Sequence, residues 1–174
     1  MAKYNATELF PIVDEQGRVI GSATRKECHS GKKLLHPVVH LHVFDRSGRL
    51  FLQKRSLKKD IQPGKWDTSV GGHVDYGESV ETALQREAKE ELGFDLADYK
   101  ALFNYVFESD VERELVHSFR CVVEGGEIAF APDEIEVGRF FNKLEIERLI
   151  SDGKTTPNFA MEFDRLRTSF SDDD

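Results

Sequence analysis

The apolar positions change period several times along the chain, and each change predicts an element. Leu9-Phe10-Pro11-Ile12-Val13 and Arg18-Val19-Ile20-Gly21 flank the turn-forming run Asp14-Glu15-Gln16-Gly17, which predicts an N-terminal hairpin over about residues 8–24. After a polar stretch around Arg25–Cys28, the β-branched and aromatic run Val38–Phe44 reads as a strand. Asp45-Arg46-Ser47-Gly48 turns it into Leu50-Phe51-Leu52-Gln53, a second predicted hairpin. The basic loop Ser56–Lys65, with Pro63-Gly64, leads into a strand over Trp66–Val70. The period then becomes helical over Ser79–Leu92. Val80, Leu84, Ala88 and Leu92 recur at every fourth place, Ala83 widens the stripe, and Gly93 stops it. Strands follow at Phe103–Phe107, at Leu115–Val123 (closed by Gly125-Gly126) and at Val137–Phe141, then amphipathic helices at Leu144–Ile150 and Phe159–Phe170. Many strands around one central helix, with helices appended late, predict an α+β layered fold.

Composition narrows the class. A chain of 174 residues, 39% of them hydrophobic, can bury a real core and predicts a single domain over 1–174. The only biased tract is the acidic tail Ser171-Asp172-Asp173-Asp174. With 24 basic against 32 acidic residues the net charge is −8, which excludes a bulk electrostatic nucleic-acid binder. No run approaches the roughly 18–20 apolar residues of a membrane span, and Met1–Phe10 lacks a signal-peptide core. Cys28 and Cys121 are too few for a disulfide framework or a cysteine zinc site. A cytoplasmic chain with neither nucleic-acid nor membrane partners is the expectation.

The central helix carries the first candidate chemistry. Glu87, Glu90 and Glu91 fall on one stripe that adjoins the apolar one, so three negative charges sit at the rim of the core. Such crowding costs a few tenths of a kcal/mol per pair on a bare helix, and a hard divalent cation such as Mg²⁺ or Mn²⁺ reverses its sign. Arg86 precedes Glu90 by one helical turn and can orient it. Glu78 lies at the N-terminal edge, where the helix dipole favours an anion. Gly71 and Gly72 suggest a tight turn with an exposed carbonyl as a further ligand.

From Gly72 to Phe94 the chain reads GHVDYGESVETALQREAKEELGF. This segment resembles the Nudix box, with its fixed places at Gly72, Glu78, Arg86, Glu87, Glu90, Glu91 and Gly93. Those identities coincide by chance at about 10⁻⁹ to 10⁻⁸ per start position. Ala88 is small for its apolar place and Phe94 suits its own. The resemblance implies a Nudix-type α/β/α sandwich with a mixed β-sheet and the box as a loop–helix–loop. It implies metal-assisted attack of water on a diphosphate linked to some group X, with Glu87, Glu90 and Glu91 holding Mg²⁺ or Mn²⁺. Glu78 and Arg86 would hold loop and helix in place. The chemistry agrees, because a diphosphate repels nucleophiles until a cation neutralises its charge.

A second constellation lies outside the box. His40 and His42 alternate on one strand and read as satisfied polar groups. His29 and His36 belong to a wider likeness. From about Glu8 to Phe119 the chain resembles the type 1 isopentenyl-diphosphate isomerases and their isomerase-like Nudix relatives. The likeness is carried by Val13–Thr24, His29, His36, Lys54-Arg55-Ser56-Leu57, Pro63-Gly64-Lys65-Trp66 and Ser69-Val70-Gly71-Gly72-His73. That branch implies a second divalent metal held at His29, His36, His73, Glu112 and Glu114, with Glu114 in the catalytic set. Its mixed ligands suit Zn²⁺, Mn²⁺ or Fe²⁺. It also implies diphosphate contacts at Arg55 and Lys59, in a basic loop on an otherwise acidic protein.

The departures separate two chemistries. Gly71 stands where the isomerases carry a proton-moving cysteine, and the only tryptophan, Trp66, is not the late one that they use. The glutamates that the isomerases lose are all present. A metal-dependent hydrolase of a nucleoside diphosphate-X or related small metabolite is therefore expected. The alternatives are an isopentenyl-diphosphate isomerase, or a non-catalytic Nudix domain that binds a diphosphate metabolite. Group X and the general base stay open, and the Leu9–Gly21 hairpin is the candidate element of a homodimer.

Overall fold

All ten residues of β3 (Leu35–Phe44) are buried, so this strand is covered on both faces and forms the centre of the sheet. The computed structural model describes residues 7–59, 61–124, 128, 135–167 and 170; Gly125-Gly126 and the acidic tail lie outside them. β1 (Leu9–Val13) and β2 (Val19–Thr24) form the N-terminal hairpin, followed by the short α1 (Arg25–Cys28). β4 (Leu50–Arg55), β5 (Trp66–Asp67), β6 (Val70–His73), α2 (Val80–Leu92), β7 (Lys100–Glu108), β8 (Arg113–Val122), β9 (Ile135–Phe141), α3 (Lys143–Ser151) and α4 (Pro157–Leu166) complete the order.

The main sheet runs β5-β4-β3-β8-β7, with β6 also paired to β3 and β9 to β4. β3 and β8 are parallel and the other pairs antiparallel, so the sheet is mixed. Alternation along β3 divides the core. Val39, Leu41 and Val43 pack on Ala83, Leu84, Ala88 and Leu92 of α2. On the other face Phe44, with Leu50, Leu52 and Phe141, packs on Ile146, Phe159, Phe163 and Leu166 of α3 and α4. The result is the layered helix–sheet–helix fold that the pattern predicts. Among the described residues no helix is long and apolar enough to cross a membrane.

Four expectations need correction. The second hairpin closes at a single pair, Phe44↔Leu50, because β6 and β8 occupy the edges of β3 while β4 turns to β9. The Arg25–Cys28 stretch is a helical turn, held by a capping box between Thr24 and Glu27. The last helix starts at Pro157 behind the N-cap Thr156, and ends at Leu166 rather than running to Phe170. Gly71 and Gly72 form no tight turn; they lie within β6, opposite His40 and Val39. What demands glycine at 72 is space, since a Cβ there would lie 2.5 Å from Glu87 Oε1 and nearer still to the carbons behind it.

Candidate active site

α2 begins at the N-cap Ser79, whose hydroxyl accepts from Thr82 N at 3.1 Å, and ends at the left-handed Gly93 (φ 75°). Its rim carboxylates differ in exposure. Glu87 and Glu91 are buried, whereas Glu90 is half-buried on the outer flank. Arg86 joins helix to loop. Its guanidinium donates twice to Glu78, at 2.9 and 3.0 Å, to the His73 carbonyl at 3.0 Å and to Glu87 Oε1 at 2.8 Å. Glu90 lies 3.4 Å away on the same cation. Burial alone would raise the Glu78 pKa; the Arg86 hydrogen bonds win and hold it below the usual range. Glu91 accepts from Gln53 Nε2 at 3.1 Å and from Gly71 N at 3.2 Å, which fixes it against the sheet edge.

The second constellation is assembled by strand register. β3 pairing places His36 beside Glu114 and Val38 opposite His73, while His29 caps the C-terminus of α1. One ligand atom from each of His29, His36, His73 and Glu112 lies within 4.8 Å of all the others. Glu114 Oε2 stands 4.0 Å from His36 Nε2 and 3.9 Å from His73 Nε2. The Nε2 atoms of all three histidines are buried without a hydrogen-bond partner. His29 Nε2 comes within 3.0 Å of Glu112 Oε2 but is not aligned for a hydrogen bond. Three orphaned buried nitrogens that converge with carboxylates are otherwise costly, and they fit the donor set of a divalent cation.

The surroundings keep His36, His73 and Glu112 in ligand form, whereas Glu114 must give up a proton to bind a cation. Burial lowers the His73 pKa well below its ordinary value, reinforced by the neighbouring His36, and it lowers that of His36 too. Burial and then the Glu112 charge push Glu114 up to about 8. Against its own burial, Glu112 is held low by His29. Phe10 of β1, fully buried, roofs the cluster by stacking on His73 at 4.5 Å with rings 2° apart.

Both constellations open on one cavity of about 760 Å³, within the ordinary range of small-molecule sites. Glu87 and Glu91 line it, as do His29, His73, Glu112 and Glu114, with Arg55 and Lys59 from the basic loop. Arg55 is already engaged, donating to the Ile61 carbonyl at 3.1 Å and to Asp67 at 3.4 Å. Glu90 and His36 do not line it. Neither cysteine reaches it: Cys28 packs with Phe10 and Ala23, Cys121 packs on the α2 side, and burial raises both thiols to about 11. Trp66 turns away to pack edge-on against Phe141.

Sequence reasoning missed Phe10, Gln53 and Glu162. The buried Glu162 satisfies His40 and His42, as the reading of those histidines requires, though not which partner. A usable signal existed: Glu162 sits among Phe159, Phe163 and Leu166, on the apolar stripe of α4, where a carboxylate needs a reason.

The NUDIX domain family model matches residues 34–159. An uncharacterized Nudix hydrolase of Listeria innocua is 37% identical over 144 residues, covering 79% of this chain and 84% of its own. An isopentenyl-diphosphate Delta-isomerase of Photorhabdus laumondii is 32% identical over 148 residues, covering 83% of this chain and 82% of its own. The crystal structure of DR0079 from Deinococcus radiodurans superposes with a TM-score of 0.79 at 25% identity, covering 91% of this chain and 98% of that one. With an intact box on α2, the mixed sheet between helical layers and these matches, the chain belongs to the NUDIX family, close to its isomerase-like branch.

Proposed function

We propose that this protein is a metal-dependent hydrolase that cleaves the diphosphate linkage of a small metabolite, with the whole chain acting as one domain. The observation that carries the reading is the shared cavity: Glu87 and Glu91, then His29, His73, Glu112 and Glu114, with Arg55 and Lys59, all line it. Glu87, Glu90 and Glu91 would hold Mg²⁺ or Mn²⁺. His29, His36, His73, Glu112 and Glu114 would hold a second divalent ion of more nitrogen-loving character. Such cations neutralise diphosphate charge and activate water for attack on phosphorus.

The chain's own residues do the rest. Arg86 fixes the box helix to its loop through Glu78, so Glu87 and Glu91 face the cavity before substrate arrives. Lys59 and Arg55 attract the diphosphate charge. Phe10 stacks on His73 and fixes the plane of its ring. Isomerisation is disfavoured by one feature: no thiol lines the cavity among the described residues, and Gly71 occupies the isomerase cysteine's place. A homodimer through the N-terminal hairpin and a cytoplasmic location complete the reading.

The test is incubation with a panel of nucleoside-diphosphate sugars, dinucleotides, nucleotides and prenyl diphosphates, reading phosphate release and double-bond migration together. Hydrolysis that Glu91→Gln abolishes while the fold survives supports the reading. Double-bond migration without hydrolysis overturns it in favour of the isomerase, and binding without turnover in favour of the non-catalytic domain.

A further inference from the structure

A second buried polar cluster adjoins the cavity beside the cation ligands, sharing no residue with them. Glu162, fully buried on the inner face of α4, accepts from four donors. His40 Nδ1 at 2.6 Å and the Tyr105 hydroxyl at 2.8 Å meet one oxygen. His42 Nε2 at 2.9 Å and Ser118 Oγ at 2.6 Å meet the other. Four acceptances saturate a carboxylate, and they assign the histidine protons, with Nδ1–H on His40 and Nε2–H on His42.

The two imidazoles then differ. The remaining nitrogen of His42, Nδ1, is sealed inside the protein without a partner. The remaining nitrogen of His40, Nε2, also has no hydrogen-bond partner among the described residues, but His40 forms part of the cavity wall. Its neighbour across the strand pair is Gly71, and even a Cβ at that place would stand 3.8 Å from Nε2. With no side chain at 71, nothing from β6 covers the ring. The backbone N–H of the same glycine binds Glu91, so one residue's backbone separates His40 from the box helix carboxylate.

A purely structural link between sheet and α4 gains little from buried charge, because apolar residues of the same volume often stabilise as well or better. It gains nothing from leaving one nitrogen open to a substrate-sized cavity. We propose that His40 is a catalytic residue, a donor aimed by Glu162 that gives its Nε2–H to a phosphate oxygen of the diphosphate lying between the box helix and the His/Glu cluster. The inference deepens the hydrolase reading and rests on it. Burial works against a charged imidazole, but the charge and hydrogen bond of Glu162 prevail and raise its pKa, so the second N–H is present at neutral pH. When water adds to phosphorus and the bridging oxygen departs with the bonding pair, charge grows on that oxygen. His40 keeps its proton and strengthens its hydrogen bond, while the water's surplus proton passes to solvent. Glu162 is a positioning residue, since it acts through His40.

The test uses the whole protein uniformly labelled with ¹⁵N, loaded with Mg²⁺ and titrated with methylene diphosphonate, which cannot be hydrolysed. The expected result is a shift of the His40 Nε2 resonance, with His42 and His117 of β8, neither of which lines the cavity, unmoved. Glu162→Gln should abolish the downfield signal of the His40 Nδ1 proton. His40→Gln should lower kcat/KM on any hydrolysed substrate by about 10²-fold, mostly in kcat, with the protein still folded. If Gly71 and Gly72 amides respond to the diphosphonate while His40 does not, the cavity binds diphosphate and the His40 role is overturned. If no resonance responds, the hydrolase reading falls and this inference with it. A folded His40→Gln variant within about twofold of wild type overturns the inference alone.

Discussion

Substituting Gly72 by alanine isolates the placement of one box carboxylate from the stability of the fold. A Cβ on Gly72 would come 2.5 Å from Glu87 Oε1 and closer to its Cγ and Cδ. Carbon contacts settle at about 3.5–4.0 Å, so the Glu87 side chain must retreat by about 1.5 Å. It cannot retreat freely, because Glu87 is buried and tied to Arg86. Overpacking of this kind costs about 1–3 kcal/mol. A displacement of 1 Å at reacting groups can cost about 10²-fold in rate, or about 2.7 kcal/mol of barrier. The neighbouring glycine is the control: a Cβ on Gly71 meets only His40, at an ordinary 3.5 Å. Gly72→Ala should therefore weaken Mn²⁺ binding at the box by at least tenfold and depress hydrolysis about 10²-fold. Gly71→Ala should leave Mn²⁺ affinity and melting temperature near wild type. Mn²⁺ titration followed by electron paramagnetic resonance, with thermal melts of both variants, makes the comparison. Equal Mn²⁺ affinities for the two variants would refute the steric argument.

Zn²⁺ or Mn²⁺ at one hundred times its dissociation constant should stabilise the fold by about 2.7 kcal/mol, about 5–10 °C in Tm, and His36→Gln should remove the gain. Because His36 and His73 are held below the ordinary imidazole pKa while Glu114 is pushed up to about 8, affinity should fall by only one proton's worth, about tenfold per pH unit, between pH 8 and 6.5; a steeper fall in that range would contradict the assigned environment. Lys59→Ala should raise KM at low salt, with the difference vanishing near 1 M salt, since Lys59 meets substrate as a screened charge; a salt-independent defect would argue for a structural role. The raised pKa of His40 sets a stability window: the pair's contribution is complete below about 6.5 and is lost as pH rises through about 9. Urea midpoints should accordingly fall between pH 7 and 10 in wild type and fall less in His40→Gln.

The box helix was legible because several local signals agree: an apolar stripe at helical spacing, a Ser79 cap and a Gly93 stop. The N-terminal hairpin was legible for the same reason, with turn formers between two apolar runs. The histidine cluster was not legible by any local rule. His29, His36, His73 and the two glutamates are scattered over much of the chain, and only likeness to a known branch grouped them. Their proximity comes from β3 pairing on both edges, which no periodicity encodes. Gly71-Gly72 misled for a physical reason: glycine serves close approach as well as turns, and here a carboxylate from α2 needs the room. Glu162 was overlooked although it stands on the apolar stripe of α4, because its partners lie on β3, β7 and β8, which no local pattern joins to it.

The parallel pairing of β3 with β8 bears on when the protein becomes competent to hold a cation. Parallel neighbours cannot be joined by a short turn, and here the hairpin-sized neighbours of each strand form without bringing His36 to Glu114. Contacts between such distant segments are made late, after the loop entropy has been overcome. A nascent or partly folded chain therefore presents isolated histidines and carboxylates, each a weak ligand. High-affinity binding at this cluster would appear only with native strand order, so a cation held there would arrive as the last component and mark the molecules whose sheet is complete.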